Sequence, residues 1–142
     1  MRFAAIVCLL AAGCAPAPET PDPGMAPKPL SATGWTDLDA AKASGKPVFL
    51  FFTSGGDETC ESFDADVLAD SEVAMMLKCF ACVRQDAYGK NGKRDPEFQR
   101  LGFASVPAMA FYVKGAVVDL KDYAPHKLDF MKMLDDVLER AK

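Results

Sequence analysis

Residues 45–60 decide the fold, and they read GKPVFLFFTSGGDETC. The apolar run at residues 48–52 has the length of a strand and is typical of a central strand buried on both faces. The glycines that follow predict its end, and Asp57 is a strong N-cap for a helix whose first turn contains Glu58 and Glu61. This stretch therefore predicts a buried strand, a short loop and a helix that begins at Asp57.

Capping residues and apolar stripes predict the other helices. A short helical pattern covers residues 35–43, with Thr36 or Asp37 as its cap. The stripe of the helix that follows Asp57 has a break at residues 70–71, and a further helix begins at Asp95 with a proline at its first position. An amphipathic C-terminal helix is predicted from the stripe Leu128, Met131, Leu134, Val137 and Leu138.

Three more strands are predicted, at residues 80–83, 108–113 and 116–120. Lys114-Gly115 joins the last two as a hairpin, so these two strands are antiparallel. The predicted order of elements is α-β-α-β-α-β-β-α. This order indicates an α/β domain with a mixed central sheet and helices on both faces.

The N-terminus has the features of an export signal. Arg2 supplies a positive charge, residues 3–12 form an apolar run, and small residues precede Cys14. The run is much shorter than the roughly 20 residues that a membrane-spanning helix needs. The pattern resembles the lipobox of bacterial lipoproteins, so we expect residues 1–13 to be a signal peptide and Cys14 to carry lipid. The alternative is an ordinary secretory signal.

Composition defines the remaining organisation of the chain. Residues 14–32 are expected to form a lipid-anchored, Pro-rich linker, because they contain six of the ten prolines and favour an extended spacer. Residues 33–142 then form one domain. The net charge of −4 gives no electrostatic footprint for nucleic acid, and membrane attachment must come from the lipid on Cys14. We therefore expect a protein of the bacterial cell envelope that faces the periplasm or the cell exterior.

The domain resembles the thioredoxin superfamily, and especially its small exported bacterial members. Those domains typically begin with a tryptophan and a helix and have lysine-proline before the first strand, as do Trp35 and residues 46–47 here. In the family a C-x-x-C motif opens the next helix. Residues 60–68, CESFDADVL, fit the register of the second cysteine. The resemblance therefore implies a thioredoxin-like fold, with Cys60 at the second motif position and Asp57 at the first.

The resemblance also implies a proline in cis that faces the motif. Val106-Pro107, directly before the strand at residues 108–113, matches this feature. In the family an extended substrate docks near the cis-proline through backbone hydrogen bonds, a mode that does not need the first cysteine. The resemblance covers residues 33–140 and implies that a peptide or partner protein binds in a groove between residues 54–60 and Val106-Pro107.

The motif has lost the cysteine that starts the family's redox cycle. The resemblance implies that Asp57 keeps the capping role but cannot take part in dithiol–disulfide exchange. The acidic residues around Cys60 and its expected inward orientation both disfavour a thiolate. We therefore expect a binding protein without dithiol–disulfide cycling. The alternative is a monothiol thiol–disulfide oxidoreductase in which Cys60 is catalytic and forms a mixed disulfide with a partner.

Cys79 and Cys82 form the only literal C-x-x-C, at the end of a helix and the start of a strand. In an extended segment they are roughly 10 Å apart, beyond the roughly 7 Å range of a disulfide. We expect Cys82 to be a core residue and Cys79 to be partly exposed, with no bridge between Cys60 and Cys79. A soft-metal-binding protein that uses these cysteines and His126 is a second alternative, but their spacing predicts no metal site, and no cofactor is expected. The basic loop at residues 88–93 is interpreted as a solvated connection.

Overall fold

A five-stranded mixed sheet forms the centre of the structure, a computed structural model in which residues 34–142 are described. The strands are β1 (Trp35–Thr36), β2 (Val48–Thr53), β3 (Ala81–Asp86), β4 (Ala108–Val113) and β5 (Ala116–Lys121). Their order in the sheet is β1-β3-β2-β4-β5; β1, β3 and β2 are parallel, and β4 is antiparallel to both β2 and β5. This arrangement confirms the predicted α/β class and the mixed sheet.

Aspartates begin four of the helices. The helices are α1 (Leu38–Ala43), α2 (Glu58–Phe63), α3 (Ser71–Leu77), α4 (Pro96–Arg100) and α5 (Lys127–Arg140), and a π-helical turn (Asp64–Leu68) continues α2. The side chains of Asp37, Asp57, Asp70 and Asp95 each accept a backbone N–H of the first turn. The predicted caps and the predicted break near residue 70 are therefore confirmed.

The two faces of the sheet are covered by different helices. On β2, Phe49 and Phe51 point into a cluster formed with α2, α3 and α5, whereas Leu50 and Phe52 point into a second cluster formed with α1 and α4. Both faces of β2 are completely buried, which explains its uninterrupted apolar sequence. The predicted three-layer α/β/α architecture is therefore confirmed.

The first element of the domain is a strand, and the prediction of a helix over residues 35–43 was wrong at its start. Trp35 pairs with Cys82 and Thr36 pairs with Val83, so backbone pairing with β3 overrides the local helical pattern. The helix begins only at Leu38, after Asp37 has capped it. The sheet consequently has one more strand than the sequence predicted.

Two predictions about side-chain exposure were also wrong. Leu128 is 77% exposed, because the buried face of α5 carries Phe130, which the sequence did not predict, together with the predicted Leu134 and Val137. Cys79 is only 7% exposed, since the turn after α3 directs it into the first core cluster. The strand predicted at residues 80–83 starts one residue later than expected, at Ala81, and continues to Asp86.

Some predictions concern residues 1–33. The signal peptide at residues 1–13, the lipidated Cys14 and the linker at residues 14–32 lie outside the described residues. Within residues 34–142, no helix combines the length and the apolar character that crossing a membrane requires.

Candidate functional site

A tight turn after β2 positions residues 57–60, the predicted motif. Ser54 accepts a hydrogen bond from the backbone N–H of Asp57 at 3.2 Å, which closes a four-residue turn. Gly56 stands at its third position with a φ of 80°, a left-handed conformation that a type II turn requires there and that glycine adopts without strain. The turn places Asp57 directly at the start of α2.

Asp57 caps the helix that carries the motif cysteine. Its Oδ1 accepts the backbone N–H of Cys60 at 2.9 Å, and its carbonyl accepts the N–H of Glu61 at 3.0 Å. The hydrogen bonds that the carboxylate receives from the Cys60 backbone and thiol lower the pKa of Asp57 below its ordinary value. Asp57 therefore performs the capping role predicted for it and stays ionised at neutral pH.

Cys60 is a free thiol that is only 1% exposed. It belongs to the same buried cluster as Phe51 and Phe63. Burial raises the pKa of the Cys60 thiol, and the adjacent Asp57 carboxylate raises it further, whereas the Thr53 hydroxyl and the Ser54 backbone N–H act in the opposite direction. The net effect favours the protonated thiol, which is the unreactive form.

Val106 and Pro107 lie beside the motif turn. The Val106–Pro107 peptide bond is cis, as the family resemblance implied. Phe52 pairs with Ala108, so the next step of the antiparallel register places Pro107 opposite Thr53, the last residue before the turn. Pro107 is buried, whereas Val106 is half-buried and packs against both core clusters. The fold thus brings the motif turn and the cis-proline to the same edge of the sheet.

The backbone of Val106 is available for hydrogen bonding. In the part of the chain that the structure describes, neither its N–H nor its C=O has a protein partner. Backbone groups of this kind normally pair with another strand or with water. The segment before β4 can therefore accept one short extended strand through its backbone.

An ion pair that the sequence did not reveal fixes the far end of the motif helix. Both terminal guanidinium nitrogens of Arg84, Nη1 and Nη2, donate to the Asp64 carboxylate, and Nη1 lies 3.1 Å from Oδ1. The guanidinium also lies over the rings of Trp35 and Phe51, at 5.6 and 5.5 Å from their centroids. Asp64 begins the π-helical turn, so this contact ties the motif helix to β3. No sequence spacing predicts it, because residues 64 and 84 meet only in the folded sheet.

A second unforeseen cluster lies on the opposite face of the sheet. Tyr112 donates to Oε1 of Glu97 at 2.5 Å, and Arg100 contacts both oxygens of the same carboxylate. The Arg100 and Tyr112 donors lower the pKa of Glu97 to about 2, although partial burial acts against them. This cluster joins α4 to β4 and is separated from Cys60 by the sheet, so it is structural rather than part of the motif site.

The remaining cysteines are distant from the motif. Cys82 is a free, buried thiol, as predicted, and burial raises its pKa to about 12. Cys82 pairs with Phe49 on β2. Phe49 and Thr53, the β2 residue next to the motif, are about 13 Å apart along the strand. Because Cys60 and Cys82 are both free, neither is joined to Cys79, which agrees with the prediction. Residues 34–142 contain no cluster of three metal-ligating side chains, and His126 is an exposed residue before α5.

Comparisons with known proteins place this geometry in a family. A family model described as thioredoxin-like matches residues 35–114. A thioredoxin from Thermus thermophilus is similar in structure, with 22% identity and a TM-score of 0.65 over 75% of this chain and 88% of that one. A structure described as DsbH oxidoreductase has 16% identity and a TM-score of 0.58 over 84% and 95% of the two chains.

A third solved structure shares the fold. The oxidised C-terminal domain of DsbD from Neisseria meningitidis has 18% identity and a TM-score of 0.53, over 72% of this chain and 97% of that one. The comparison with curated proteins gives no match. Because the family model covers more than half of the chain and includes the motif turn and the cis-proline, this protein belongs to the thioredoxin-like family.

Proposed function

We propose that this protein binds an extended peptide or a partner protein at the surface formed by residues 54–60 and Val106-Pro107, without dithiol–disulfide cycling. The observation that carries the proposal is the unpartnered backbone of Val106, which lies beside the motif turn and next to the cis-proline. Backbone pairing at such an edge gives affinity without any requirement for a thiol.

The chemistry of the motif supports binding over electron transfer. Asp57 has no sulfur to exchange, and the Cys60 thiol is buried and held in its protonated form. A monothiol oxidoreductase needs a thiolate that a partner's disulfide can reach. The arrangement around Cys60 meets neither requirement.

Titration of the isotope-labelled full chain with an uncharged twelve-residue peptide of threonine, valine and glutamine tests this proposal by nuclear magnetic resonance. Binding at the proposed surface should shift the amides of Val106 and of residues 54–60 and slow hydrogen exchange at Val106. Cys60→Ala should bind with unchanged affinity. Shifts confined to other surfaces, or loss of binding in Cys60→Ala, would overturn the proposal.

We also propose that the domain is held at the bacterial cell envelope by lipid on Cys14. The support is the sequence of residues 1–14, with its positive charge, short apolar run and small residues before the cysteine. Incorporation of labelled fatty acid by the expressed chain, abolished in Cys14→Ala, is the expected result. Labelling that persists in Cys14→Ala, or a soluble unlabelled product, would contradict it.

A further inference from the structure

The loop between β3 and α4 carries three cations, Lys90, Lys93 and Arg94, on a chain whose net charge is −4. All three residues are exposed, and none of them takes part in an ion pair within residues 34–142. We propose that this basic loop, residues 88–94, selects partners whose docked segment carries a cluster of aspartate or glutamate side chains. The inference deepens the proposed function and rests on it.

The basic loop lies directly beside the motif turn. β2 and β3 are parallel and end together, with Thr53 paired to Asp86. The backbone N–H of Ala87 then donates to the carbonyl of Thr53 at 2.9 Å, so the chain enters the basic loop next to the motif turn. Neighbouring strands are about 4.8 Å apart, and the loop is therefore within about one Debye length of a segment bound at the motif.

Hydrogen bonds give the basic loop a defined shape. Gly89 donates its N–H to the carbonyl of Lys93 at 2.7 Å, and Tyr88 forms an antiparallel bridge with Arg94. The ring of Tyr88 packs against the buried Phe98, with centroids 5.9 Å apart. These contacts hold the two ends of the basic loop together. A loop with a fixed conformation loses less conformational entropy when a partner binds its three cations.

The cations and most of the carboxylates around the motif surface lie on different sides, although the exposed Asp86, which accepts the Tyr88 N–H, lies at the end of β3. The basic loop lies on the β3 side, whereas Asp57, Glu58 and Glu61 begin the helix that follows β2. An acidic segment is therefore attracted to the β3 side and repelled from the helix start. This asymmetry fixes the orientation of a bound partner as well as its composition.

The sheet order also sets a spacing for the partner's acidic residues. Val106 precedes β4, and β3 is two strands away from β4, a distance of about 10 Å. An extended chain covers that distance in about three residues. For a segment that runs across the strand ends from Val106 towards β3, the acidic cluster should therefore begin about three residues from the residue that pairs with Val106.

Charge favours an acidic polypeptide over an anionic membrane as the occupant. Recognition of anionic lipid typically uses a cluster of four to eight cations, and each contributes about 1 kcal/mol near the surface. The basic loop has three, and the chain as a whole is negative and is repelled by such a surface. A short acidic segment meets the loop without bringing the rest of the domain against a charged plane.

Fluorescence anisotropy with the full chain tests the inference. The probes are three labelled twelve-residue peptides that share one extended threonine–valine segment and differ only in a terminal block of four glutamates, four glutamines or four lysines. The variant Lys90→Gln/Lys93→Gln/Arg94→Gln removes the charge of the basic loop. Its matched control, Lys114→Gln/Lys132→Gln/Lys142→Gln, removes three exposed cations: one in the β4–β5 hairpin, one in α5, and one two residues after α5 that pairs with Glu139.

The glutamate peptide should bind the original chain about tenfold more tightly than the glutamine peptide at 0.1 M salt, and the lysine peptide should bind least. The preference should disappear in the loop variant and at 0.5 M salt, and it should persist in the control variant. Equal binding of all three peptides, or a preference that survives in the loop variant, would overturn the inference while leaving the proposed function in place.

Two further outcomes distinguish a failure of this inference from a failure of the proposed function. If the glutamine peptide fails to shift the amide of Val106, the proposed function itself is wrong, and the inference is lost with it. If vesicles of phosphatidylcholine and phosphatidylglycerol bind the original chain through the basic loop while the glutamate peptide does not, the loop recognises membrane and the inference is overturned.

Discussion

Oδ1 of Asp57 lies 2.9 Å from the backbone nitrogen of Cys60, so Asp57 caps the helix on which the Cys60 thiol is buried. The same carboxylate favours the protonated form of the Cys60 thiol. Asp57 therefore has two effects at this position: it offers no sulfur for exchange, and its negative charge disfavours the thiolate form of Cys60.

Removal of the cap should destabilise the domain. Asp57→Ala leaves the Cys60 N–H without its partner at the start of α2, so the midpoint of urea unfolding should move to a lower concentration. Asp57→Asn is the matched control, because its side-chain oxygen can still accept the same hydrogen bond, and it should remain close to the original chain. An alanine variant as stable as the asparagine variant would contradict the capping role.

Cys60 should react slowly in the folded protein. Because the thiol is 1% exposed and burial raises its pKa, iodoacetamide at pH 7 should modify it roughly a hundredfold or more slowly than in the unfolded chain. Mass spectrometry of the alkylated peptide gives the rate, and Cys60→Ala identifies which signal belongs to this residue. Rapid labelling near neutral pH would support the monothiol oxidoreductase instead.

The Asp64–Arg84 pair should stabilise the motif helix. Arg84→Met removes two charge-assisted hydrogen bonds and leaves a partly buried carboxylate alone, so the free energy of unfolding should decrease by about 1–2 kcal/mol. Arg84→Lys keeps the charge but loses the bidentate hydrogen bonding and the stacking on Trp35. It should therefore recover only part of the lost free energy of unfolding. Full recovery by lysine would show that charge alone matters.

Glu97 should make stability depend on acid pH. Its pKa is about 2 in the folded protein and 4.5 when unperturbed, so its contribution is present above pH 4.5. As the pH decreases from about 4.5 to about 2, the unfolded chain binds a proton that the folded chain does not, and that contribution is lost. Glu97→Gln should flatten this part of the stability curve, measured by urea unfolding at several pH values.

A suitable control for that experiment is Glu58→Gln, at an exposed position of α2 that has no ion pair among the described residues. It removes the same charge without touching the Tyr112–Arg100 cluster. If both variants change the acid branch equally, the effect comes from net charge and not from the contacts of Glu97.

The sequence predicted most of the fold because its signals are local. The apolar run of β2, the aspartate caps and the Lys114-Gly115 hairpin each depend on a few adjacent residues, and Lys114 and Gly115 have the positive φ values that such a turn needs. The cis Val106-Pro107 bond was predicted only through the family resemblance.

The features that the sequence could not predict depend on contacts between distant residues. Trp35 joins a strand because β3 is beside it, and Arg84 meets Asp64 because β3 lies beneath the motif helix. Leu128 shows a third kind of error. Its spacing suits the apolar stripe, but the angle at which α5 packs on the sheet selects Phe130 instead. Each of these outcomes is set by tertiary geometry rather than by residue type or period.

A cysteine at position 57 should give the site dithiol–disulfide chemistry. In Asp57→Cys, the new thiol stands at the helix N-terminus, where the dipole lowers a thiol pKa. It lies three residues before Cys60, one helical turn away, which brings the two Cα atoms within the roughly 7 Å range of a disulfide. The two thiols should therefore form a disulfide on mild oxidation. Thiol titration should then find two fewer free thiols than in the reduced variant, and reduction with dithiothreitol should restore both. Glu58→Cys is the control, because a residue two positions before Cys60 does not face it and should not bridge. If both thiols persist in Asp57→Cys, then the burial of Cys60, and not only the absence of a thiol at position 57, prevents thiol–disulfide exchange at this site.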